Sequence, residues 1–188
     1  MSGELDEARE RCLLLLQILT AAKVRATNDP LGSYCQELGI VQAGDKKMSA
    51  IKKVSRIFDE LDGLLAHLTL IDMVSSLERA FKSRLGTALG EARKTLRENH
   101  NRELFHAVRE GLVSEPEHFQ GLRGMEALLG SRLADEVKKK LNVIRLDRNL
   151  FAHGTDVSRP PSIDIRDAYE ALRVVADTFS GPTTEPSS

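Results

Sequence analysis

Lys138-Lys139-Lys140-Leu141-Asn142-Val143-Ile144-Arg145-Leu146-Asp147-Arg148-Asn149-Leu150-Phe151-Ala152-His153-Gly154 has the apolar spacing of one amphipathic helix, and Gly154 is well placed to end it. The helix is unusual because an arginine, an amide and a histidine stand where leucines are expected. Projected at about 100° per residue, Arg145, Arg148, Asn149 and His153 fall within an arc of roughly 140°. Leu146 and Leu150 flank that arc on one side, Ile144 and Phe151 on the other, and Asp147 is expected to point away from it, towards water. A cationic, histidine-bearing stripe between apolar walls suits an anion-binding groove better than an ordinary solvated face.

Helical spacing continues in both directions from this stretch. Residues 4–26 form one helical pattern, stopped by Asn28-Asp29-Pro30. Leu31 to Val41 is a short helical stretch ending near Gly44. Asp45 is then placed to cap a helix carrying Met48, Ile51, Val54, Ile57, Phe58, Leu61 and Leu65, which Gly63 either breaks or merely weakens. From Leu64 to Leu96 the pattern persists through Leu68, Ile71, Val74, Leu77, Phe81, Leu85 and Leu89. Gly86 and Gly90 interrupt it and Asn99-His100-Asn101 closes it. A short helix is predicted over 102–112. Ser114-Glu115-Pro116-Glu117 then reads as a capping box with proline in the first turn, starting a helix that runs to Leu129. Ser131 is expected to open the motif helix. After the non-helical Pro160-Pro161, Asp164 caps a last helix whose apolar face is Ile165, Ala168, Tyr169, Leu172, Val175, Ala176 and Phe179.

No alternating strand pattern or internal repeat appears. The expected fold is all-α, an antiparallel helical bundle with additional N-terminal helices. The expected organisation is residues 1–60 as helices packed on the bundle, 61–180 as the main helical domain, and 181–188 as a disordered tail.

The 188 residues suffice for one full domain, and 41% apolar with 29% charged content is ordinary for a globular protein. Only 4% of residues are aromatic and none is Trp, which argues against a platform for stacking single-stranded bases. A net charge of −1 argues against wholesale coating of nucleic acid, yet leaves room for a local basic groove. Cys12 and Cys35 read as reduced thiols. Neither keeps zinc-ligand spacing with a histidine, and no cofactor or metal is expected. Leu13-Leu14-Leu15-Leu16 is too short to cross a membrane, and its acidic flank does not suit a signal peptide. The expected compartment is the cytoplasm.

Arg148, Asn149 and His153, with the ending Phe151-Ala152-His153-Gly154, resemble the arginine–polar–x3–histidine signature of HEPN domains, small all-helical domains that include many metal-independent ribonucleases. Leu70-Ile71-Asp72-Met73-Val74-Ser75-Ser76-Leu77-Glu78 resembles their long second core helix, which often carries an acidic residue. The resemblance covers about residues 60–180. It implies an endoribonuclease in which His153 is the acid/base, Arg148 clamps the phosphate and Asn149 organises the pair. The substrate's own 2′-hydroxyl would attack, leaving a 2′,3′-cyclic phosphate. The residue types suit this chemistry. Histidine titrates near neutrality, and arginine's planar fork matches phosphate oxygens while staying charged. The resemblance further implies a homodimer in which two motifs form a composite site, with RNA as substrate and an antitoxin or antiviral-defence protein as partner. The toxin branch that pairs with a small nucleotidyltransferase places a modifiable tyrosine two residues after the histidine. Thr155 stands there in this chain, so that pairing loses its main support.

Plainer readings stand beside these. His153 is also placed to interact with helix-terminal carbonyls. Arg145 either extends the groove or pairs with a surface carboxylate. Glu78 either joins the site as a substrate-binding residue or pairs locally with Arg79 and Lys82. Lys138-Lys139-Lys140 is either a solvated face or a guide for RNA. His67, His100, His106 and His118 lack ligand spacing and suit structural or surface roles. A HEPN-like module that binds RNA or protein without cleaving is the competing function, and an unrelated helical adaptor is the third.

Overall fold

Helix-forming residues run almost without interruption through the first part of the chain, and the backbone follows them. The computed structural model describes residues 2–98, 103, 104, 106, 121–154 and 160–180. It contains α1 (Ser2–Asn28), α2 (Ser33–Glu37), α3 (Lys47–Glu98), α4 (Gly121–Leu129), a 3-10 turn (Gly130–Arg132), α5 (Asp135–Ala152) and α6 (Ile165–Ser180). The all-α expectation holds, with no strand among the described residues. The predicted start signal at 114–117, the closing Asn99-His100-Asn101, most of 102–112, Thr155 and the tail 181–188 lie outside those residues.

Three local expectations differ from the structure. Gly86 and Gly90, expected to interrupt, lie within α3, which runs unbroken for 52 residues, about 78 Å, and which also passes through Gly63, read as either breaking or merely weakening the helix. An interior glycine costs only about 1 kcal/mol relative to alanine, too little to end a helix whose neighbouring residues, such as Leu85, Ala88, Glu91 and Ala92, are good helix formers. Asp45 does not cap α3. Its carboxylate accepts the Gln42 N–H at 2.9 Å and meets Lys53 Nζ at 2.7 Å. The motif helix opens at Asp135 rather than Ser131, which lies in the 3-10 turn.

α1 and α3 pair antiparallel. Arg11 bonds Asp72 at 2.8 Å, the Thr69 hydroxyl donates to Cys12 Sγ at 3.1 Å, and Lys23 bonds Asp59 at 3.0 Å, so partner numbers fall along α3 as they rise along α1. The larger apolar core gathers Leu5 and Ala8 of α1, Leu70, Met73, Val74, Leu77 and Phe81 of α3, Met125 of α4, Leu141 and Ile144 of α5, and Leu172 and Val175 of α6. The α3 set follows helical spacing, which places one continuous stripe against α1, α4, α5 and α6. A smaller core holds Ala26, Cys35, Val41, Ala50, Val54 and Phe58. Residue 60 thus falls inside the helix that joins the two cores, and the start of α1 belongs to the larger one. Cys12 and Cys35 are free and buried in separate places, and burial pushes the Cys35 thiol above its ordinary pKa. Among the described residues, no helix is long and apolar enough to cross a membrane.

α5 lies against α3 in the opposite sense. Phe151 stacks on His67 with ring centroids 4.9 Å apart, while Arg148 reaches Glu78 further along α3. α6 returns beside α5, joined through Lys140 and Asp167 at 2.7 Å. Asp164 caps α6 as expected, its carboxylate accepting the Arg166 N–H at 2.8 Å.

Candidate functional site

The inward stripe of α5 fixes the orientation of every motif residue. Leu141 and Ile144 are buried in the larger core, and Asp135 and Glu136 in the first turn suit the positive end of the helix dipole. The helix ends as the sequence predicts. The His153 N–H donates to the Asn149 carbonyl at 3.1 Å and the Gly154 N–H to the Phe151 carbonyl at 3.0 Å. Gly154 takes φ +72°, a left-handed conformation that closes a helix at little steric cost for glycine.

Arg148 does not stand open. Its Nη1 bonds Glu78 Oε1 at 2.7 Å and its Nη2 bonds Oε2 at 3.3 Å, a two-pronged pair spanning 70 residues of sequence. The side chains are 35% and 22% exposed, so the pair sits at the edge of the core, where it is screened less than a fully solvated one. Gly121, at the start of α4, closes over the same carboxylate. It takes φ +66°, and a Cβ added there would lie 2.9 Å from Glu78 Oε1. The sequence offers Glu78 either as a substrate-binding residue or as a local partner of Arg79 and Lys82, and its bonds to Arg148 are a partnership that neither reading names. Arg79 bonds Ser76 instead.

The other motif side chains lie outside this pair. Asn149 and His153 are exposed, one turn apart on the same face, and neither side chain hydrogen-bonds another described residue. Arg145 is half-buried and donates to Asn142 Oδ1 at 2.6 Å, so its contact is neither a surface carboxylate nor Glu78. The flanking apolar residues divide in the same way. Ile144 is buried and Phe151 is half-buried against His67, whereas Leu146 and Leu150 are 50% and 52% exposed. The stripe is therefore walled on one side only.

Asp147 corrects the sequence reading. Expected to point to water, it is 3% exposed, and its Oδ2 accepts the N–H groups of Ser162 at 2.8 Å and Ile163 at 3.2 Å. The backbone after Pro160-Pro161 needs acceptors where it passes under α5, and a carboxylate meeting two donors is tolerated in a buried position. Asp147 thus ties the motif helix to the entrance of α6. Sequence reasoning missed Asp147, Gly121 and the His67–Phe151 stack. The donors of the double-proline link were the only available signal for Asp147, and nothing local pointed to the other two.

The arrangement offers a proton-transfer side chain, His153, and an amide on one exposed surface, with a guanidinium beside them already bound to a carboxylate. Any anion seeking Arg148 must compete with Glu78. Among the described residues, no group of three or more His, Cys, Asp or Glu side chains is placed to hold a metal ion. No family model, curated protein or solved structure matches the chain.

Proposed function

We propose that the chain is a cytoplasmic, metal-independent endoribonuclease of HEPN type, acting as a homodimer whose two motif faces form one composite site. The observation that carries this reading is the exposure of Asn149 and His153, one turn apart at the end of α5 beside Arg148. In this reading His153 of one copy takes the 2′-hydroxyl proton or protonates the leaving 5′-oxygen, and the partner's motif supplies the other of those two roles. Asn149 holds or orients the imidazole or the phosphate. Arg148 exchanges Glu78 for a phosphate oxygen as charge builds in the transition state, so Glu78 stores the guanidinium between turnovers. A toxin–antitoxin or antiviral setting, with an antitoxin or defence protein as partner, rests on the family resemblance alone.

The bidentate Glu78–Arg148 pair favours a second reading, a HEPN-like module that binds RNA or protein without cleaving it. An arginine satisfied by a carboxylate serves a purely structural end equally well. Mixed cellular RNA incubated with purified protein in EDTA, beside His153→Ala and Arg148→Ala, separates the two. Cyclic-phosphate ends from the wild type alone support the nuclease. Three folded and equally inactive proteins reject it, and RNA retention by those proteins then supports the binding module. Cleavage by a strictly monomeric species rejects the composite site.

A further inference from the structure

α1 is apolar on two opposite faces, and only one of them is covered. Leu5, Ala8, Cys12 and Ala26 are buried against α3 and the two cores. At about 100° per residue, Leu13, Leu14, Ile18 and Val24 centre on the opposite side. All four are close to half exposed or more, as is Leu15 between the faces. Five of the fifteen exposed large hydrophobics among the described residues therefore fall within one stretch of α1. Leu68, on α3, extends the patch. The antiparallel register that sets Cys12 beside Thr69 brings Leu15 level with it, and the two are 49% and 48% exposed. A contiguous apolar surface on a soluble helix marks a contact site, whereas scattered single leucines do not.

The charges around the patch select its occupant. Glu10 lies exposed at its N-terminal end, near an Arg11 already taken up by Asp72 at 2.8 Å and Glu7 at 4.0 Å, and Arg25 lies exposed at its C-terminal end, with its guanidinium over the Tyr34 ring at 4.4 Å. An acidic end, an apolar middle and a basic end make the stripe complementary to itself when reversed. We propose that this face docks a second copy of the chain, two α1 helices crossing antiparallel about a two-fold axis near Gln17 and Ile18. Glu10 of each copy then meets Arg25 of the partner subunit, while Leu14 and Ile18 pack at the centre. An isologous interface requires this kind of self-complementarity, and an apolar centre with a charged rim is the usual interface anatomy. The surface is separate from Leu146 and Leu150 of α5, the exposed apolar residues beside the motif, and does not depend on the nuclease reading.

The test is sedimentation of the full chain over a concentration series, with circular dichroism as the folding control. The wild type is expected to associate through α1, as a dimer or, where the α5 motif faces also pair, as a tetramer, with Leu14→Glu/Ile18→Glu weakening the α1 association by at least about tenfold, the equivalent of roughly 1.4 kcal/mol. Glu10→Arg and Arg25→Glu are each expected to weaken the dimer, and their combination to restore it. The charge variants decide the matter should the double glutamate fail to fold. A monomeric wild type overturns the proposal. So does a dimer broken by Leu146→Glu/Leu150→Glu but not by the α1 variant, or one indifferent to both charge reversals.

Discussion

The two sides of α5 carry similar residue types in different environments. Inward, Ile144 is wholly buried, Asp147 is nearly so, and Arg148 is held by a carboxylate. Outward, Leu146 and Leu150 are half exposed, and Asn149 and His153 face solvent. A leucine and an isoleucine two positions apart, or an aspartate and an asparagine two positions apart, therefore do opposite things. The inner face builds the scaffold and the outer face is left for contacts, so substitutions on the two sides should separate stability from function.

The largest effect is expected from Ile144→Ala, which empties a fully packed position and should cost about 2–5 kcal/mol in denaturant unfolding. Leu146→Ala and Leu150→Ala should each stay within about 0.5 kcal/mol of the wild type. Equal losses on both sides would erase the contrast between the faces. Asp147→Ala strips the acceptor from Ser162 and Ile163, whose bond is buried, and is expected to cost about 1–3 kcal/mol. Amide hydrogen exchange at Ser162 and Ile163 should accelerate with it, and unchanged protection there would refute the tie to α6.

Arg148 tests the boundary between the faces. Arg148→Ala or Glu78→Gln should cost about 1.5–3 kcal/mol, the range of a hydrogen bond to a charged group, with the double variant losing less than the two singles added. Strict additivity would mean that the pair contributes no coupling. His153→Ala is expected to leave unfolding within about 0.5 kcal/mol and, on the proposed nuclease reading, to remove RNA cleavage. A clear drop in stability would move His153 to the structural side.

The smallest effect concerns pH at the flank of α5. The hydrogen bond to Asp167 raises the Lys140 pKa above its ordinary value. A raised ammonium stabilises fully below the unfolded pKa, about 10.4, and the contribution fades as pH rises through the higher folded value. Melting curves of wild type and Lys140→Met should therefore differ slightly at neutral pH and converge only in the alkaline range above about 10.4. Convergence already at pH 8 would contradict that direction.

Much of this was legible in the residues themselves. Helical periodicity, the Gly154 terminus and the Asp164 cap depend on neighbours within a turn or two, and the structure agrees with them. Asp147 was misread because helical phase gives a direction but does not say what lies there, and the Ser162 and Ile163 donors approach from another segment. Neither reading of Glu78 named Arg148, 70 residues away, because only the local cations Arg79 and Lys82 were within reach of a sequence argument.

The sequence by itself determined that the chain is helical, where its amphipathic faces run, and that one helix ends in an arginine, an amide and a histidine on a shared arc. Those properties follow from periodicity and capping, which are local. Only the tertiary structure decided that Arg148 is bound while Asn149 and His153 stay exposed, that a carboxylate is buried beneath the motif helix, and that α1 keeps an apolar face uncovered. Each of those depends on which distant segment supplies a partner, and the register between packed helices settles that.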